Sequence, residues 1–317
     1  MTATWACRIG PDALCFPKMV RRSAPLSLSL AIASAFAVSL ATRRADAFCW
    51  ASTCQPNGVL CEQPSSLDCG VPLYWPRECV GFSIQKDGTS YLSFQDASWA
   101  VSAGFQLWLQ PFCNGDLPGI GLIEMQNVSC DLVEYNSSAG NANVVVFRDK
   151  AWTHPESPDK IAVTTVTFNP NTGEIYDVDI EVNSNQHLFT VTEPTEAYDL
   201  VSIMAHEAGH FFGMGHSLEW DATMFEMYEP GSTEQRTLTA DDQRGMCAMY
   251  PPWPIDRAGC NPIPRHGFAP ECRTSQPEHS CSTARVGTSG SVGSVALWVA
   301  AWGLGLGLGL GRRKRSA

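Results

Sequence analysis

Apolar residues recur in this chain with two periods, and the changes between them mark out most of its folded part. Phe94, Ala97, Val101, Phe105 and Trp108 fall at helical spacing and predict an amphipathic helix over residues 93–110, with its aromatic side chains in a core. Residues 199–205 carry the same spacing behind Asp199, which is placed to cap a second helix. Short β-branched or apolar runs at 73–84, 121–125, 143–148 and 161–168 predict strands, separated by Gly, Asn and Ser turn material. Residues 175–183 alternate strictly. Asp177, Asp179, Glu181 and Asn183 share one face of that strand, and Tyr176, Val178, Ile180 and Val182 the other. The simple reading of the acidic face is a half-buried strand that shows its carboxylates to solvent.

Two further apolar runs lie outside this folded part. Arg21-Arg22, an apolar run over 26–41 and the small-residue site Ala45-Asp46-Ala47 predict a secretory signal peptide, residues 1–47, cleaved before Phe48. The first eighteen residues show no fold pattern, and Met19 is a candidate initiator. Near the other end, residues 292–311 are uncharged and apolar, long enough for a transmembrane or sorting helix. The basic tail 312–317 then stays inside and the rest outside. Between these ends lie a Cys-rich segment, 48–71, a central part, 72–253, and a Cys/Pro/Gly/Ser extension and linker, 254–291.

An exported chain explains the cysteines. Eleven of the thirteen follow Phe48, at 49, 54, 61, 69, 79, 113, 130, 247, 260, 272 and 281, so five disulfides and one unpaired thiol are the simplest count. Export also changes the charge. The chain carries −11, but the leader and tail hold ten of its 21 basic residues and only two of its 32 acidic ones, leaving −19 on residues 48–311. That balance excludes nucleic acid and anionic lipid as natural partners.

The chemistry centres on residues 206–216, His-Glu-Ala-Gly-His-Phe-Phe-Gly-Met-Gly-His. His206 and His210, four apart on a helix, present their side chains on one face, and Gly213 permits a turn that returns His216. Three neutral imidazoles hold Zn²⁺ and leave one position open, the mark of a catalytic site. Glu207 is placed as general base.

These residues resemble the metzincin metallopeptidases, and within them the matrixins. His216-Ser217, Met224 in Ala-Thr-Met-Phe, and residues 238–245 with Met249-Tyr250 match the matrixin order. The resemblance implies an α+β metzincin-like catalytic domain over residues 72–253, with a twisted mixed sheet, an active-site helix and a C-terminal helix. It implies a zinc endopeptidase that acts on protein or peptide substrates as a monomer at the cell surface or outside the cell. Met224 would support the zinc site, Tyr228 would line the pocket for the residue after the cut bond, and the strand over 161–168 would be the edge on which substrate docks. Calcium at Asp177, Asp179 and Glu181 is the family alternative to a solvated strand face. Glu226 stands where matrixins usually have Pro, and the family's His-x-Asp structural zinc motif is absent, which leaves His154 and His187 as loop histidines.

Cys69-Gly70-Val71-Pro72 partly matches the matrixin cysteine switch, but Asp68 and Leu73 depart from it and a disulfide is the competing reading. The C-terminal end resembles bacterial surface-sorting tails, particularly the myxobacterial type, with Cys281 as the retained cysteine. A different class of function, a catalytically silent surface binding or adhesion module, is suggested by the display tail. It gives no reason for Glu207.

Overall fold

The computed structural model describes residues 2–6, 48–54, 70–193, 196–256 and 259–271. Most of the expected signal peptide, Cys61, Cys69, Cys272, Cys281, the linker, the apolar stretch 292–311 and the basic tail lie outside the described residues. Among the described residues no helix is long and apolar enough to cross a membrane.

The described elements are β1 (Thr2–Ala6), β2 (Cys79–Ile84), α1 (Phe94–Leu107), β3 (Gly121–Glu124), β4 (Val144–Phe147), β5 (Ala162–Phe168), β6 (Ile175–Val182), β7 (Phe189–Thr190), β8 (Tyr198–Asp199), α2 (Leu200–Phe211) and α3 (Ala240–Met249). Six strands form one mixed sheet in the order β1-β5-β6-β4-β2-β3. β6, β4, β2 and β3 run parallel, while β5 is antiparallel to β6 and β1 antiparallel to β5. This is the α+β architecture expected from the sequence.

Side-chain chemistry sets the helix starts. Ser93 accepts a hydrogen bond from the backbone N–H of Asp96 to begin α1, and Asp199 accepts one from Ser202 to begin α2. Thr239 and Asp242 form a reciprocal capping box on α3. Arg236 grips both oxygens of Asp199 at 2.6 and 2.9 Å, which pins the first turn of α2. α1 and α2 then pack together on one face of the sheet. Phe105 stacks on Phe82 of β2 at 4.1 Å and meets Phe211 edge-on at 5.0 Å, and the indole N–H of Trp108 donates to Ala205 O at 2.7 Å.

The other face is also covered, contrary to the expectation of a solvated acidic strand. Asp177, Asp179 and Glu181 are at most 3% exposed. Val128, Val144 and Val146 form a second apolar cluster with Phe268, and the segment after α3 is fastened across it. Asn141 donates to Arg265 O, Ala269 donates to Asn141 O, and Ser129 donates to Pro270 O. Arg265 lies 4.2 Å over the Tyr176 ring and pairs with Glu174. Disulfides Cys79–Cys260 and Cys113–Cys247 close loops of 181 and 134 residues. Each is of the kind that stabilises a domain by about 2–4 kcal/mol. Cys49 and Cys130 are disulfide-bonded as well.

β1 corrects a second expectation. Residues 2–6, in a stretch with no legible pattern, pair with β5 from Thr2↔Thr167 to Ala6↔Val163. The edge of β5 expected to be open for a peptide is therefore occupied by the chain's own N-terminal strand.

Candidate metal centre

α2 carries His206 and His210 on one face, with ring centroids 4.8 Å apart. The helix ends at once: Phe212 caps it, and Gly213 takes φ 91°, which L side chains rarely adopt. A Cβ on Gly213 would lie 2.3 Å from Leu73 O, so neither the turn nor the close approach tolerates a side chain. Two backbone bonds, Met214 N to Gly209 O at 2.9 Å and Gly215 N to Cys49 O at 2.8 Å, fix the return path. It brings His216 Nε2 to 3.2 Å from His210 Nε2.

The outer ring nitrogens settle which way each imidazole works. His206 Nδ1 lies 2.7 Å from Thr223 O and His210 Nδ1 2.9 Å from Met214 O; a carbonyl only accepts, so both Nδ1 atoms carry hydrogen and both Nε2 lone pairs are left for a ligand. Burial pushes His206 down to about 4 and holds His210 and His216 well below the usual histidine range, with their mutual repulsion second, so all three are neutral at pH 7. His206 Nε2 is buried with no partner among the described residues. The three ligand atoms lie within 4.8 Å of one another, the one such group among the described residues. A set of three neutral, inward-facing imidazoles fits zinc.

Around this set lie the other residues singled out in the sequence. Glu207 is fully buried, and burial raises it to about 8. Its Oε2 accepts a hydrogen bond of 2.5 Å from Thr164 Oγ1 on β5, while Oε1 has no partner among the described residues. Met224 lies under the helix: a Cβ on Gly209 would be 2.1 Å from its Sδ. Tyr228 is buried, donates its hydroxyl to Ser202 O at 2.5 Å, and meets the His206 ring edge-on at 5.7 Å. Glu226 Oε2 stands 3.9 Å from His216 Nδ1, so this residue lies beside a histidine as well as in the segment leading to Tyr228.

Three residues at the centre had no assigned role in the sequence. Thr164 is one of several β-branched residues in a run whose buried face the sequence alone does not reveal. Asp241 and Asp242 stood only as the start of a helix. In the structure Asp242 accepts from the backbone N–H groups of Thr223 and Met224 at 2.9 and 3.0 Å, and Asp241 accepts from Ser217 Oγ at 2.7 Å. α3 therefore holds both the Met224 turn and the residue after His216.

The carboxylates offered as a calcium alternative form no ligand group among the described residues. Glu181 Oε1 accepts from Arg148 Nε at 2.5 Å and its Oε2 lies 2.7 Å from His154 Nε2, so the loop residue His154 is a hydrogen-bond partner of this strand. Asp179 accepts from the Val144 N–H and shares a hydrogen bond with Asp177. Burial raises Asp177 to about 7 and Asp179 well above its usual range, so the pair retains a proton where isolated carboxyls have lost theirs. With the folded value of Asp177 above the unfolded 3.8, its stabilising effect is full below pH 4 and is lost as pH rises through about 7. Denaturant unfolding of the Asp177→Asn/Asp179→Asn double variant at pH 5 and pH 8 is expected to lack this loss of stability with rising pH; an unchanged dependence would show that the proton is held elsewhere.

Comparison with known proteins agrees with this geometry. A matrixin family model matches residues 124–251. Metalloendoproteinase 1-MMP of Arabidopsis thaliana is 41% identical over 58 residues, 18% of this chain and 16% of that protein. Neutrophil collagenase of Homo sapiens is 25% identical over 213 residues, 62% of this chain and 40% of that protein. Matrix metalloproteinase-9 of Canis lupus familiaris is 41% identical over 61 residues, 19% of this chain and 8% of that protein. The chain thus spans well under half the length of these relatives. The matched region begins at the end of β3, runs to the end of α3 and holds all three histidines, so over residues 124–251 the chain is similar to the matrixins.

Proposed function

We propose that the chain is an exported zinc endopeptidase. The observation that carries this reading is a set of three buried, neutral histidines converging beside a buried carboxyl group with one oxygen held and the other without a partner among the described residues. His206, His210 and His216 would hold the metal. Bound zinc supplies Lewis acidity toward a carbonyl and lowers the pKa of water. Glu207 Oε1 takes the proton from the attacking water and passes it to the leaving amine nitrogen. Thr223 O and Met214 O keep the first two rings in one tautomer, and Met224 and Tyr228 fix the floor and wall around them.

Export is supported by the disulfides, which persist in oxidising compartments. It also explains β1. An extended peptide docks by adding a strand to a sheet edge, and β5 is the edge nearest the base, since Thr164 reaches Glu207 from it. Cleavage before Phe48 removes β1 and frees that edge. The chain beginning at Phe48 is therefore expected to cleave a mixed library of internally quenched peptides at least about tenfold faster than the full chain, because the two strands compete for one edge. Equal rates would mean that β1 does not block the substrate path, and no cleavage by either would remove the endopeptidase reading.

A further inference from the structure

Thr164 is 0% exposed, and a buried hydroxyl needs a partner. Valine would fill the same space in a β-branched run without that requirement, so a hydroxyl here calls for a reason. Among the described residues its donor reaches Glu207 Oε2, at 2.5 Å and across 43 residues of sequence. The geometry is asymmetric, because Glu207 Oε1 has no partner among the described residues. A carboxylate with two equivalent oxygens can rotate about its last torsion, and a hydrogen bond to one of them stops that rotation.

Resting on the endopeptidase reading above, we infer that Thr164 is a positioning residue: its hydroxyl holds Glu207 Oε2 and leaves Oε1 as the single oxygen that accepts the proton. Thr164 also sits in the β5 ladder, opposite Ile180 of β6 on one side and Trp5 of β1 on the other. The strand whose edge takes the peptide therefore carries the group that aims the base. A peptide docked on β5 and the oxygen that serves it are placed by the same backbone, so the gain is in the geometry of the reacting atoms rather than in binding.

Two measurements on the zinc-loaded chain test this. In peptide hydrolysis, Thr164→Val is expected to lower kcat about tenfold with KM unchanged, the loss of one buried hydrogen bond to a charged group, and Thr164→Ser is expected to restore kcat to within about twofold. A fall that Ser does not rescue, or one that appears in KM, would show a role in shape and overturn the inference. The second measurement is independent of turnover. Thr164→Val is expected to lower Tm by about 4 °C in the parent and by under about 1 °C in a Glu207→Ala background. Equal shifts in both backgrounds would show that the two side chains are not coupled and would overturn it. If the parent cleaves nothing, the endopeptidase reading fails, and the unfolding cycle alone decides whether Thr164 holds Glu207.

Discussion

Replacing Glu207 by Gln is expected to lower kcat about a thousandfold while zinc content and Tm stay within error of the parent. Removal of a positioned general base costs roughly 10²–10⁴ in rate. Glutamine keeps the size of the side chain and can still accept from Thr164 Oγ1, so the fold around the site has no reason to move. What it loses is the oxygen that takes a proton. KM is expected to change little, because the base acts on the water and the leaving amine rather than on the bound peptide. Steady-state kinetics beside metal analysis by mass spectrometry would check this. A glutamine variant with a tenth or more of parental kcat would show that the proton goes to another group, and the neutral histidines would then need a different catalytic partner.

The second large effect concerns a residue that does no chemistry. Gly209 lies inside α2, where helix propensity alone says that Ala should stabilise by about 1 kcal/mol. The structure reverses the sign. A Cβ there would lie 2.1 Å from Met224 Sδ and 2.6 Å from Trp108 Cζ2, and both of these side chains are fully buried. Met224 is held by Asp242 through its backbone N–H, and Trp108 by its indole bond to Ala205 O. Overpacking of this kind costs about 1–3 kcal/mol. If Met224 moves, Thr223 O moves with it, and that carbonyl orients His206. Disturbing a ring's outer partner typically lowers metal affinity 10–100-fold. Gly209→Ala is therefore expected to lower Tm by several degrees and weaken zinc binding about tenfold, as read by competition with a chromophoric chelator. A variant with higher Tm and unchanged affinity would mean that propensity outweighs the contact.

These two residues show where the sequence was legible. His206, His210, Glu207 and Gly213 could be placed because their geometry is local: a four-residue helical step, a neighbouring side chain and a turn. α1 and β6 were legible for the same reason, as repeats of one period over many residues. What was not legible depends on contacts between distant parts of the chain. The acidic face of β6 reads as solvated until residues 259–271 are seen fastened over it, and β1 carries no pattern at all until β5 is beside it. Thr164 and Glu207 are 43 residues apart, and Asp242 and Met224 are 18 apart on different elements. The resemblance to matrixins brought Met224 into view but not the carboxylate that holds it. Calcium at Asp177, Asp179 and Glu181 was the alternative that the matrixin resemblance offered, but Arg148 and His154 contact Glu181, and the other two carboxyls bond to each other.

In the proposed function the three histidines and Glu207 hydrolyse internal peptide bonds through zinc. The most direct test is to incubate the chain beginning at Phe48 with a defined mixture of long unmodified peptides and identify the products by mass spectrometry. The same digest would be run after metal removal and after zinc is restored. The expected result is new internal N- and C-termini, each product pair summing to its parent plus one water, absent from the metal-free digest and recovered with zinc. Products that persist without metal, or none in the zinc-loaded sample at any peptide length, would contradict the account.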